Sequence, residues 1–197
     1  HRQRAGPPRQ RGGPAHVVHG PHGVRGVADG DDPRALADEA LARRQFPALA
    51  AFDSPSELGR FTWSPGVTAS LTASGGRRSA SIVLQPGGYP GFTLRYFPRD
   101  WRGWRALSLL LANPSAVPLE ITVRIDDMLH DEDYADRFNR SFVLVPGRNE
   151  LRIPLSEVEA APRGRRLDLG RVRTVIVFAY RLAAPRELRV EGIRLER

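Results

Sequence analysis

The sequence predicts an antiparallel β-sandwich, and three observations predict it. Apolar and polar residues alternate with a period of two through many short runs. Two further runs are apolar on both faces, and Gly- and Pro-bearing turns separate the runs at short intervals. A period of two puts alternate side chains on opposite faces of a strand, so an alternating run has one face on a core and one in water. A run apolar on both faces belongs inside a sheet.

The strands do not begin at the N-terminus. Residues 1–31 are rich in Gly, Pro, Arg and His and lack hydrophobic periodicity. Such a segment buries too little apolar surface to offset chain entropy, and it is read as a disordered basic tail. His16, His19 and His22 have imidazoles that suit metals. Their spacing of three, broken by Gly and Pro, gives them no shared helix face, so a flexible tail is the preferred reading. Asp32-Pro33 is a helix start, with Asp as N-cap and Pro at the first helical position. Leu36, Ala37, Ala40 and Leu41 then fall at helical spacing, which predicts a short connecting helix within 32–45.

From Phe46 to the end, residues 46–197, the period is two. Phe92, Leu94 and Tyr96 alternate with Thr93 and Arg95; Leu119, Ile121, Val123 and Ile125 alternate with Glu120, Thr122 and Arg124. Leu151, Ile153 and Leu155 continue the pattern. Leu107 to Ala112 and Val175 to Tyr180 are the doubly apolar runs and are expected to be central strands. Ser156 to Ala161 allows one helical turn. In the last run the apolar parity switches between Val190 and Ile193, and Gly192 at the switch predicts a β-bulge. The punctuation is supplied by Pro86-Gly87-Gly88, Asn113-Pro114, Pro146-Gly147, Pro162 and Pro185.

Composition narrows the function. All thirty basic residues are Arg and none is Lys, with a net charge of +8. The first 28 residues hold five Arg and no acid, and most other Arg residues alternate with apolar ones along strands. That is how a solvated sheet face reads, so nucleic acid is not expected as a partner. There is no Cys for a disulfide or thiolate site. No apolar stretch reaches the length of a membrane span, and no signal-peptide core is present. The chain begins at His1 rather than Met, so it reads as a piece of a longer protein whose remainder holds any targeting or membrane segment.

The richest chemistry lies in Arg124–Arg140, where a strand runs into a dense polar loop. Asp126, Asp127, His130, Asp136 and Asn139 suit hydrogen bonding to vicinal sugar hydroxyls, with Tyr134 as an aromatic and Arg137 at the exit. The competing reading is internal ion pairing that orders a long loop. Loop calcium is less well matched, because the spacing is not that of an EF-hand. Trp101 and Trp104 flank Gly103 before a central strand; Trp104 is expected in the core and Trp101 as the more exposed ring, free to stack on a sugar. Tyr89, in a turn, is a further contact at the same end of the sandwich. Arg163 to Arg166 is a basic turn read as solvated. A glycosidase pair drawn from Asp126, Asp127 and Asp136 is conceivable. The chain has no G-x-S-x-G, Walker loop or GxGxxG, so it is read as no enzyme.

The order DWRGWRALSLLLANP, PLEITVRIDD, HDEDYADRFNRSFVLVPGRNELRIPL, APRGRRLDLGRV and EGIRLER resembles the galactose-binding-like, jelly-roll carbohydrate-binding modules of bacterial proteins. Within them it is most similar to the soluble C-terminal β-domain of VanZ-like bacterial membrane proteins. The likeness covers residues 46–197. It implies a jelly-roll sandwich, a polysaccharide or glycan ligand, an extracytoplasmic location and its own missing membrane-spanning part as a partner. It also implies a structural calcium joining an acid near the first strand to one in the last, for which Asp53 and Glu191 stand in place, the latter where Asp is more usual. No other cofactor is expected. The reading is thus a non-catalytic carbohydrate-binding module of a bacterial envelope or extracellular protein. The alternatives are an accessory domain with no glycan ligand and, behind it, a glycan hydrolase or lyase.

Overall fold

The computed structural model describes residues 33–74 and 76–197, and for residues 33–35 it describes the backbone alone. The tail with His16, His19 and His22, and the Asp32 cap, lie outside the described residues.

Helix α1, Pro33–Gln45, carries Arg43 and Arg44 in its last turn, where cations offset the helix dipole. Its docking face differs from the expected one. Leu36 is exposed, whereas Asp38, Leu41, Ala42 and Gln45, spaced at three and four, turn inward. The reason is polar: Asp38 pairs with the wholly buried Arg60 at 3.0 Å, and Gln45 donates to Glu57 at 3.1 Å. Strand β1, Ala48–Ala50, leads into a 3-10 turn, Pro55–Arg60, that is closed by a Ser54/Glu57 capping box. The buried Glu57 carboxylate also accepts the N–H groups of Ala51, Phe52 and Asp53 at 2.8, 3.0 and 2.8 Å. It thereby holds Phe52 at φ 61°, a left-handed conformation unusual for a bulky side chain.

The remaining strands are β2 (Phe61–Trp63), β3 (Thr68–Ser74), β4 (Arg77–Leu84), β5 (Gly91–Leu94), β6 (Ala106–Asn113) and β7 (Leu119–Asp127). They continue with β8 (Phe138–Leu144), β9 (Gly147–Pro154), β10 (Val172–Phe178) and β11 (Arg186–Glu196). The single helical turn between β9 and β10 is α2, Leu155–Ala160. The strands form two antiparallel sheets. One runs β3-β4-β11-β6-β9 with β1 also on β11; the other runs β2-β5-β10-β7-β8. This is an all-β jelly-roll sandwich.

The doubly apolar runs became β6 and β10, both internal to their sheets, as the pattern predicts. Tyr96 falls beyond the end of β5 and is exposed, so the alternation there overran the strand. The parity switch in β11 is a bulge: Val190 pairs with Leu111 and Gly192 with Leu110, leaving Glu191 extra. Leu188, Val190, Ile193 and Leu195 all then reach the core.

In the second sheet the pairings line up rows of side chains. Phe61, Leu94, Val175, Ile125 and Phe138 form an inner row across all five strands, each buried. One residue over, Thr62, Thr93, Ile176, Arg124 and Asn139 form the matching outer row. Gly91 keeps this sheet tight: a Cβ there would lie 2.0 Å from the Val177 carbonyl oxygen, so only Gly allows β5 and β10 to approach as they do.

Candidate functional site

The polar loop after β7 is built around arginines. Asp126 and Asp127 end β7 with no exposed surface, and Asp136 is nearly as buried. Arg165 spans two of them. Its guanidinium donates to both oxygens of Asp127 at 2.7 and 2.9 Å, and to both oxygens of Asp136, in the second case at 2.7 Å. Asp127 also accepts the N–H groups of Asp168 at 2.7 Å and Leu129 at 3.1 Å. Asp126 is held by Arg173 at 3.0 Å, by the Thr174 hydroxyl at 2.6 Å and by Arg124 at 2.9 Å.

The His130 ring closes the network: Nδ1–H donates to the Asp136 carbonyl at 2.8 Å, and Nε2 faces an Arg124 N–H at 3.1 Å. A guanidinium only donates, so Nε2 accepts and the proton sits on Nδ1. Burial pushes the carboxyls of Asp126 and Asp127 up, but the hydrogen bonds from Arg173 and Thr174, and from Arg165 and the Asp168 N–H, outweigh it and hold both below the usual range. For Asp136 the Arg165 hydrogen bonds dominate outright and lower it far.

Beyond this closed knot the surface opens. The outer row of the second sheet is half-exposed at Thr93, Ile176, Arg124 and Asn139. At the β10 C-terminal end, the exposed rings of Tyr89 and Tyr180 stack 5.2 Å apart, and Tyr89 meets the Phe178 ring edge-on at 5.5 Å. At the opposite end lies a groove of about 450 Å³ lined by Tyr134, Arg137, Asn139, Arg140, Glu157 and Arg163, among others. The Tyr134 ring is two-thirds exposed, with the Arg137 guanidinium 4.7 Å from its centre. Burial and the charge of Arg124 lower the Arg137 pKa.

The sequence-predicted residues therefore divide. Asp126, Asp127, His130 and Asp136 come together, but as a buried ion-pair knot. Tyr134, Arg137 and Asn139 come together on the groove. Tyr89 is exposed as expected, but it sits at the far end of the outer face, roughly 20 Å from the acidic loop at about 3.3 Å per residue along β10. Trp101 is a correction. It is wholly buried, tilted against Phe97 with ring centroids 5.6 Å apart, and its Nε1–H donates to the Pro98 carbonyl at 3.1 Å. Trp104 is the half-buried one, edge-on to Phe46 and covered by Arg197. Trp104 packs against the core as expected, while Trp101 turns fully inward because it opens a turn whose N–H is tied to the Leu169 carbonyl.

Metal binding is poorly served by the expected pair. The Glu191 carboxylate is engaged by Arg148 at 2.7 Å, and Asp53 is exposed. The acid that organises the segment is Glu57, signalled by its capping-box spacing from Ser54. Among the described residues one trio of metal-capable groups lies within reach of itself: His130, Asp131 and Asp136. Arg165 already occupies both Asp136 oxygens, so a cation would compete with a guanidinium there. For a glycosidase pair from Asp126, Asp127 and Asp136 the environment points the other way, since arginines hold all three carboxyls below the usual range whereas a general acid is raised. Sequence reasoning missed Arg165, Arg173 and Tyr180. The Arg163–Arg166 cluster was the available signal for Arg165, and nothing local distinguished it from a solvated turn.

No protein-family model matches the chain, and no curated protein matches it in sequence. Solved structures match its fold. A family 11 carbohydrate-binding module from Clostridium thermocellum, solved with a β-1,3-1,4-mixed-linked tetrasaccharide, aligns at a TM-score of 0.56 and 16% identity over 76% of this chain and 94% of that one. An independent solution structure of CtCBM11 gives 0.57 and 17%, over 75% and 92%. An agarase, AgWH50C, aligns at 0.60 and 13% over 76% of this chain, which spans only 26% of the agarase. At these identities the likeness is one of fold: the chain has the jelly-roll sandwich found in carbohydrate-binding modules.

Proposed function

We propose that this domain binds a glycan chain without acting on it, along the outer face of the second sheet. One observation carries the reading. That face is half-exposed and lined with hydrogen-bonding side chains, and it runs between the stacked Tyr89–Tyr180 pair at one end and Tyr134 at the other. Aromatic faces receive the apolar C–H faces of pyranose rings, and Thr, Arg and Asn side chains between them exchange hydrogen bonds with hydroxyls. A face of that length suits a polysaccharide segment rather than a single sugar. The folds of family 11 modules support the same class of ligand. The reading includes an extracytoplasmic location in a bacterium and attachment to a membrane-spanning part.

A second reading, an accessory domain that docks on its own membrane partner, draws on the closed state of the acidic knot, where four of the expected contacts are buried. A broad glycan array probed with the whole chain, with and without calcium, separates the two. The proposal expects saturable binding that weakens roughly tenfold in Tyr89→Ala and in Tyr134→Ala, each loss reflecting one stacked ring. Absence of binding by a folded chain across the array rejects the glycan reading in favour of the accessory one.

A further inference from the structure

Among the described residues, four buried side-chain polar atoms meet no partner: Gln45 Oε1, Arg137 Nε, Asn139 Oδ1 and Arg186 Nε. Two of the four, Arg137 and Asn139, line the same groove. Arg186 meets part of its need through its other nitrogens, which donate to the Val117 and Pro118 carbonyls. Arg137 donates to no protein acceptor among the described residues. Buried polar groups left unpaired are rare and point to something that completes them.

The charge around the groove is also unbalanced. Arg137, Arg140 and Arg163 line it against one acid, Glu157, and Arg140 already engages Glu157 at 2.6 Å. Arg137 is thus set apart from Arg124, Arg165 and Arg173 nearby, each of which holds a carboxylate. The Tyr134 ring packs 4.7 Å from its guanidinium, whose nitrogens donate to no protein acceptor among the described residues.

We propose that the groove takes the carboxylate of a uronic acid within a polysaccharide, with Arg137 as its principal anchor. This rests on the glycan-binding reading and names the ligand class. A carboxylate offers a planar, two-oxygen edge that a guanidinium grips with paired hydrogen bonds. Asn139 completes the recognition with a hydroxyl beside the carboxylate, and the exposed Tyr134 ring supports the pyranose. The groove volume, about 450 Å³, suits a ligand of that size. Sulfated sugars share the negative charge and also offer paired oxygens, so a sulfated fragment is the competitor the test must include.

The test is calorimetric titration of the whole chain with three oligosaccharides: an oligogalacturonate, its neutral galactose-based counterpart of the same linkage, and a sulfated galactan fragment. The readout is the ratio of affinities. The wild-type chain is expected to prefer the uronate over the neutral sugar by roughly tenfold or more, with the preference falling as salt is raised. Arg137→Gln is expected to bring the ratio close to one, and Arg137→Lys to restore only part of it, because a point charge lacks the paired edge. Thermal unfolding of each variant confirms that it is folded.

Equal affinity for uronate and neutral sugar in the wild type overturns the proposal and leaves the glycan reading standing. A full uronate preference retained in Arg137→Gln removes Arg137 as the anchor and overturns it too. Tighter binding of the sulfated fragment overturns the carboxylate assignment. No binding to any of the three, by a chain equally silent on a broad array, overturns this proposal and the glycan reading together.

Discussion

Arg165 and Arg137 serve neighbouring stretches of one loop and do opposite things. Arg165 grips two buried aspartates with four hydrogen bonds and sits at the centre of a closed knot. Arg137, the residue after the Asp136 that Arg165 grips, meets no acid among the described residues and leans on a tyrosine at the wall of an open groove. Carboxylate density here marks the most fully paired part of the loop. The segment with the most acids is the most completely self-satisfied, and the neighbouring cation without an acid is the group with bonding capacity left. On this domain, availability is set by pairing.

The largest effect that sharpens this contrast is on stability. Replacing Arg165 by Ala strands Asp127, which has no exposed surface, and Asp136 without their cation. Breaking a buried pair from one side costs on the order of 3–5 kcal/mol. Urea denaturation is expected to report a loss of that size in Arg165→Ala, with part of it regained when Asp127→Asn is added. A loss under about 1 kcal/mol would mean that the knot is a crowded surface feature and that Arg165 is no more committed than Arg137.

Acid should expose the same knot more gently. Asp126, Asp127 and Asp136 all have carboxyls held below their ordinary range in the folded chain. The stability they contribute is therefore fully present above the unfolded value, about 3.9, and is lost as pH falls through the lower folded values. Wild-type stability is expected to decline progressively below about pH 4. In Arg165→Ala the Asp127 carboxyl keeps its burial and its two backbone N–H donors but loses its cation, so its depression is smaller than in wild type and less stability is lost on protonation. The gap between wild type and variant should narrow as pH falls. A gap that stays constant between pH 7 and 3 argues that Arg165 acts through packing alone.

How much of this was legible beforehand follows from what each signal depends on. Period-two alternation and two doubly apolar runs sufficed for the sandwich and its internal strands, because strand periodicity and burial are properties of short stretches. The β11 bulge was readable from a parity switch at Gly192 for the same reason. The pairing partners were not. Arg165 reaches Asp127 from 38 residues away and Arg173 reaches Asp126 from 47, distances over which only topology decides proximity. Trp101 departs from its expected exposure because local sequence does not say whether a ring near a glycine turns inward. Tyr134, Arg137 and Asn139 share the groove wall because they neighbour one another in the chain. What distinguished them from Asp136, one residue before Arg137, was the long-range Arg165 contact.

The smallest expected effect bears hardest on the contrast. Arg137→Gln removes a guanidinium whose Nε is buried without a protein partner and whose charge is disfavoured by burial and by Arg124. Against that relief stands the lost attraction to the Tyr134 ring, about 0.5–1 kcal/mol for a partly exposed cation over an aromatic face. The two offset, so urea denaturation is expected to find Arg137→Gln within about 0.5 kcal/mol of wild type, as for a surface substitution away from special features. A loss above about 2 kcal/mol would show Arg137 to be a structural residue like Arg165, and the division between a closed knot and an open groove would collapse. A null effect on stability, beside a large effect of Arg165→Ala, means that the fold keeps a half-buried cation it does not need for itself.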